Sequence, residues 1–213
     1  MKHITGVTFE RARFGLPMHD QAAAERVVAL RTTARACAQE LMDRLTPGKI
    51  ALIIGPSGSG KSMILAECAR SARSCVIAKP VSAKSRTPVI ERLRASIEQR
   101  LCRLSVCGLA DAHPLVTPSG KLSDGQKARL SLAIAIEKAS RKRASTVIVD
   151  EFCSTLDRTA AASVATSVRR SITSETRLVC ATAHDDLIEH LHPHILVYVP
   201  LEGKPEMLCR EDA

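Results

Sequence analysis

An α/β fold, built on a mainly parallel sheet flanked by helices, is what this sequence predicts, and three observations carry it. Short apolar runs rich in β-branched residues recur along the chain. They are KIALIIG at 49–55, SCVIAKP at 74–80, STVIVDE at 145–151, RLVCAT at 177–182 and HILVYV at 194–199. Longer segments with apolar residues at helical spacing lie between them. A Gly-rich segment, GPSGSGKS at 55–62, joins the first of these strands to a helix. Strands alternating with helices imply right-handed crossovers and a sheet covered on both faces.

In chain order, ITGVTF at 4–9 reads as a short strand, and residues 20–45 read as a helix stopped by Thr46-Pro47-Gly48. Residues 61–73 form the next expected helix. PVIERLRASIEQRLCRL at 88–104 reads as one amphipathic helix started by a proline. The stretch 105–120, with Pro114, Pro118 and Gly120, is looser, and LSDGQKAR at 122–129 opens a helix to about Ala139. Helices over 157–173 and 185–191 alternate with the last two strands. The expected organisation is an extension at 1–47 packing on the core, a main domain at 48–200 and a tail at 201–213. The main domain holds a helical subdomain at about 81–140.

The chain has 213 residues, of which 45% are hydrophobic and 25% charged, enough for one globular domain with a substantial core. With three Phe, one Tyr and no Trp, that core must come from Ala, Val, Ile and Leu. The same scarcity argues against nucleic-acid binders that stack bases on aromatic platforms. The net charge of +9 fits either a polyanionic partner or a solvated basic surface. The eight Cys are scattered without a C-x-x-C, and most sit in apolar surroundings, as small buried thiols of a reducing compartment do. The first residues lack an apolar signal core, and the longest apolar stretch, around LSLAIAI, is too short to span a bilayer. These features lead to an expectation of a cytoplasmic protein without membrane insertion.

GPSGSGKS meets every fixed position of G-x-x-x-x-G-K-[ST], between a strand and a helix as that motif requires, and predicts a P-loop NTPase fold. Gly55, Gly58 and Gly60 permit backbone angles and close approach that side chains forbid. The loop amides of Gly55, Pro56–Gly60, Lys61 and Ser62 (Pro56 without an N–H), with the helix N-terminus, are placed to surround phosphate oxygens. The loop serines are Ser57 and Ser59. Lys61 supplies charge to the outer phosphates, and the Ser62 hydroxyl is placed to ligate Mg²⁺. TVIVDE at 146–151 sets two carboxylates at a strand end, where ligands of open parallel sheets bind. Acids ending a strand are mostly structural when they stand alone. Beside a phosphate loop, Asp150 bears on Mg²⁺ and Glu151 is the candidate base that polarises an attacking water.

The order GPSGSGKS, LSDGQ, TVIVDE, STLD (154–157) and His184 within ATAHDD resembles the ABC-type ATPases over about residues 48–200. The resemblance implies ATP and Mg²⁺ as ligands and a nucleotide-dependent homodimer. In such a dimer Ser123 and the amides of Gly125 and Gln126 complete the partner copy's phosphate site. It further implies that Asp157 communicates between the two sites and that His184 contacts the γ-phosphate. Asp124 replaces a glycine of the common form, which is acceptable if its side chain turns away as a helix cap.

The sequence departs from the family pattern in two places. Only 62 positions separate Lys61 from Ser123, so the helical subdomain is shortened relative to transporter ATPases. The one Gln in that interval, Gln99, falls within an expected helix, so the glutamine that in this family helps to bind Mg²⁺ is not assigned. No aromatic lies just upstream of the phosphate loop to stack on adenine, and Phe9 and Phe14 are distant. VIVDEFCSTLDR with ATAHDDLIEHL is most similar to a soluble subgroup associated with acetyltransferase-like domains. The expected role is therefore an ATPase switch of a nucleic-acid-related or modification complex, with DNA and an acetyltransferase-like protein as candidate partners. The alternative is the ATP-binding subunit of a membrane transporter. HLHPH at 190–194 lacks the Cys or carboxylate companions of a metal site.

Overall fold

The computed structural model describes residues 21–141 and 145–210, so the strand expected at 4–9, with Phe9 and Phe14, lies outside the described residues. Six strands form one sheet: β1 (Ile50–Ile54), β2 (Cys75–Ile77), β3 (Ser145–Val149), β4 (Thr176–Thr182), β5 (Ile195–Tyr198) and β6 (Glu206–Cys209). Their order is β2-β3-β4-β1-β5-β6, parallel at every pair except β5–β6. The helices are α1 (Gln21–Arg44), α2 (Lys61–Ser71), α3 (Ile97–Val106), α4 (Ala112–Val116), α5 (Asp124–Ala139), α6 (Arg158–Ser171) and α7 (Leu187–Leu191).

Strand periodicity divides the core in two. Ala51 and Ile53 of β1 face α1 and α2, where Ala34, Cys37, Ala38, Leu41, Ile64 and Leu65 are buried against them. Ile50, Leu52 and Ile54 face the opposite side, with Leu104, Leu130, Val164 and Phe152. Because both faces are covered, all five residues of β1 are buried. As expected, the packing is almost wholly aliphatic. Cys37, Cys68, Cys107, Cys153 and Cys180 are buried within it, whereas Cys102 and Cys209 are exposed. Burial pushes the Cys68 and Cys153 thiols up to about 12, so both stay protonated at neutral pH. No helix among the described residues is long and apolar enough to cross a membrane.

Three local expectations need correction. Segment 88–104 is not one helix. It has a 3-10 turn at Val89–Arg92, an extended Leu93, and then α3, capped by Ser96 accepting from Gln99 N at 3.4 Å. A tertiary partner forces the break: the Arg94 amide donates to buried Glu137 on α5 at 3.1 Å, and Arg103 and Arg141 also pair with that carboxylate. The looser stretch 105–120 contains α4 and a 3-10 turn at Ser119–Lys121. The strand at 194–199 is not the last, because part of the expected tail folds back as β6 on the sheet edge beside β5.

Candidate phosphate-binding site

β1 delivers the chain into the Gly-rich loop at Gly55, which runs hard against β5. Val199 N donates to Ile54 O at 2.8 Å, and a Cβ on Gly55 would stand 2.2 Å from Val199 O. Gly58 and Gly60 have φ of +82° and +100° with nothing within 4 Å, so there the demand is for the backbone angle alone. The Ser59 amide closes a turn on Pro56 O, and α2 starts from Gly60. Lys61 arches back over the loop, its Nζ donating to Gly55 O at 2.8 Å and Pro56 O at 2.7 Å. An ammonium held over a curved loop, at a helix N-terminus with unsatisfied amides, is a fit for phosphate oxygens.

β3 ends at Val149, which leaves Asp150 and Glu151 exposed beyond the sheet. The turn that follows is strained: Glu151 and Cys153 have φ of +50° and +58°, uncommon for residues with side chains. Phe152 holds it in place, 1% exposed, with its amide donating to Ala181 O of β4 at 2.7 Å. No sequence pattern marks Phe152, yet it is the anchor that sets both carboxylates. Glu151 N donates to Asp150 Oδ1 at 3.0 Å. Beyond β4, half-buried His184 donates its amide to Thr182 Oγ1 at 3.2 Å. Arg158, at the start of α6, grips Asp186 through Nε at 2.8 Å and holds that carboxyl below its usual range. Asp157 caps α6, accepting from Ala160 N at 2.9 Å.

These segments meet in one cleft of ≈ 540 Å³, lined by Ser57, Gly58, Gly60, Lys61, Ser62, Asp150, Glu151 and His184. Ser154 and Thr155 of the STLD segment also line it, as do Met63, Thr182 and Ala183, which no sequence motif marks as site residues. Gly55, Pro56 and Ser59 belong to the loop but not to the cleft wall. No group of three or more His, Cys, Asp or Glu among the described residues is placed to hold a metal ion. Mg²⁺ rarely needs such a cage. It commonly binds one or two carboxylates together with substrate phosphates, and Ser62 and Asp150 on the cleft wall suit that arrangement.

Ser123, Gly125, Gln126 and Asp157 lie outside that wall. Ser123, not Asp124, is the N-cap of α5, in a reciprocal capping box: Gln126 N donates to Ser123 Oγ at 3.2 Å, and Ser123 N to Gln126 Oε1 at 3.0 Å. The Gln126 amide, expected to be available to a phosphate, is therefore engaged within its own turn. Asp124 is the first residue of the helix, with its carboxylate in solvent 3.4 Å from Lys127 Nζ. Gly125 packs on the STLD segment (154–157), since a Cβ there would lie 3.2 Å from Thr155 O. Ser123 is exposed, as are Pro56, Ser57, Gly58 and Ser62, so both motifs face solvent.

No family model matches the sequence, and no curated protein matches it. Solved structures do share its fold. An ABC transporter in an inward-facing conformation has 16% identity and a TM-score of 0.57, over 78% of this chain and 73% of that one. The ATP-binding cassette of an ABC transporter, in its ADP conformation, has 16% identity and a TM-score of 0.56, over 78% and 82%. A bacterial Atm1-family ABC exporter with ATP bound has 18% identity and a TM-score of 0.58, over 76% of this chain and only 34% of the exporter chain. At these identities the likeness establishes the fold, that of an ATP-binding cassette, and leaves function to the site.

Proposed function

We propose that this chain binds and hydrolyses Mg-ATP, and that two copies close over two nucleotides. The single observation that carries the reading is the cleft that gathers Lys61, Ser62, Asp150, Glu151 and His184 from separate segments of the chain. Lys61 exchanges its bonds to Gly55 O and Pro56 O for phosphate oxygens. Ser62 and Asp150 hold Mg²⁺, which when bound offsets the charge of the phosphoryl group being transferred. Glu151 orients and deprotonates the attacking water, and His184 donates to the terminal phosphate. From the facing copy, the Ser123 hydroxyl and the Gly125 amide complete the site, while Asp157 sits between the two. Lys61→Ala is expected to weaken ATP binding by roughly 100-fold, measured by calorimetry. Unchanged affinity would remove the reading.

The role served by this ATPase divides into two readings. A switch acting on nucleic acid draws support from the charge of +9 and from a second cleft along β2 and α5. That cleft is lined by Lys79, Arg92, Lys138 and Arg141 with no acidic residue. DNA affinity is then expected to fall steeply with salt, log K against log salt having a slope of about −3 to −4 if these four cations meet phosphates. A flat salt dependence would count against DNA. The transporter-subunit reading draws on the three solved structures named above, each from an ABC transporter, and predicts co-purification with a polytopic membrane protein. The association with an acetyltransferase-like partner rests on the sequence resemblance alone.

A further inference from the structure

If the terminal phosphate reaches the acidic strand end, the base extends from the opposite flank of the Lys61 loop, and among the described residues no aromatic lines that flank to stack on it. A notch on that flank, between α1 and the turn joining β5 to β6, shares Gly60 and Met63 with the phosphate cleft. Leu30 of α1 and Leu201 of the turn line it, and both are largely in solvent, 48% and 67% exposed. Large aliphatic faces left uncovered beside a ligand cleft are where an apolar ligand surface is worth burying. Ser59 also lines the notch, 7% exposed and with a buried Oγ that has no hydrogen-bond partner. An orphaned hydroxyl in such a place is a group waiting for a polar atom.

We propose that this notch takes the nucleobase, gripped by Leu30, Met63, Pro200 and Leu201 in place of aromatic stacking; the proposal rests on the ATP reading above. At ≈ 30 Å³ the notch has about the volume of one water molecule in the liquid, so it holds an edge of the base and does not enclose it. Thr33 and Ser59 supply hydroxyls, and among the described residues no amide or carboxylate side chain lines the notch. Recognition by aliphatic contact and hydroxyls discriminates weakly between purines. The elements that build the site, α1 and the β5–β6 turn, thus have a functional reason to be present.

The test uses the full chain, with binding measured for Mg-ATP, Mg-GTP and inorganic tripolyphosphate. The double variant Leu30→Ser/Leu201→Ser changes exposed residues and should fold normally, as circular dichroism will report. It is expected to lose roughly tenfold in ATP affinity and nothing in tripolyphosphate affinity. Wild-type affinities for ATP and GTP should agree within about tenfold. Equal losses for ATP and tripolyphosphate, or a stronger preference for one purine, would overturn base recognition at the notch. If the wild type binds both ligands and the variant still binds ATP as well as wild type does, the notch alone falls. If the wild type binds neither, the phosphate-site reading falls and the notch with it.

Discussion

Glu151→Gln is expected to cut ATP turnover by roughly 10²- to 10⁴-fold while leaving ATP affinity near wild type. The side chain is exposed at the cleft wall, so the amide fits where the carboxylate was. The strained turn that aims it is fixed by neighbours, Phe152 on Ala181 O and Ser154 N on Glu151 O, and not by the carboxylate itself. What the substitution removes is the ability to take a proton from water. With hydrolysis blocked and binding intact, the nucleotide-bound state accumulates, and size-exclusion chromatography with Mg-ATP should move the variant from monomer to dimer. Wild type in Mg-ATP should run mainly as monomer, because turnover reopens it. Undiminished turnover would place the base elsewhere; a slow variant that stays monomeric would keep the chemistry and remove the facing pair.

The parts of the fold legible in the sequence were those whose signals are local. The apolar runs and the Gly-rich turn after Ile54 each carry their own period or backbone demand, and so the parallel sheet and the phosphate loop could be read directly. What was not legible depends on distant partners. The break at Leu93 is held by Glu137, a residue of another helix; only the restart of α3 has a local sign, Ser96 followed three residues later by Gln99. Phe152 is an anchor because of Ala181, and β6 is a strand because β5 lies beside it; Glu206–Cys209 is too short to declare itself. The cap of α5 was within reach. Ser123 followed three residues later by Gln126 is the capping-box pattern, and it points to Ser123 over Asp124. The base notch was out of reach, since its walls come from residues near 30 and near 200, which only the folded chain brings together.

Gly55→Ala should be the most damaging change of a single glycine in the phosphate loop, because a backbone clash adds to the positive φ (+152°) that it shares with its neighbours. A methyl group at Gly55 meets backbone, Val199 O at 2.2 Å, which can move only if β5 separates from the end of β1. Overpacking of this kind costs about 3 kcal/mol, and for a chain of this length that is a fall in Tm of roughly 6–12 °C. At Gly58 the same methyl meets nothing within 4 Å, and only the φ of +82° opposes it. The expected cost there is about 1–2 kcal/mol, a fall of roughly 2–8 °C. Because Val199 also lines the notch, Gly55→Ala should weaken ATP binding more than it weakens tripolyphosphate binding. Gly58→Ala, on the phosphate cleft alone, should weaken both alike. If the two variants melted together, the demand for glycine at 55 would be conformational, and the contact with β5 would not be what shapes the loop.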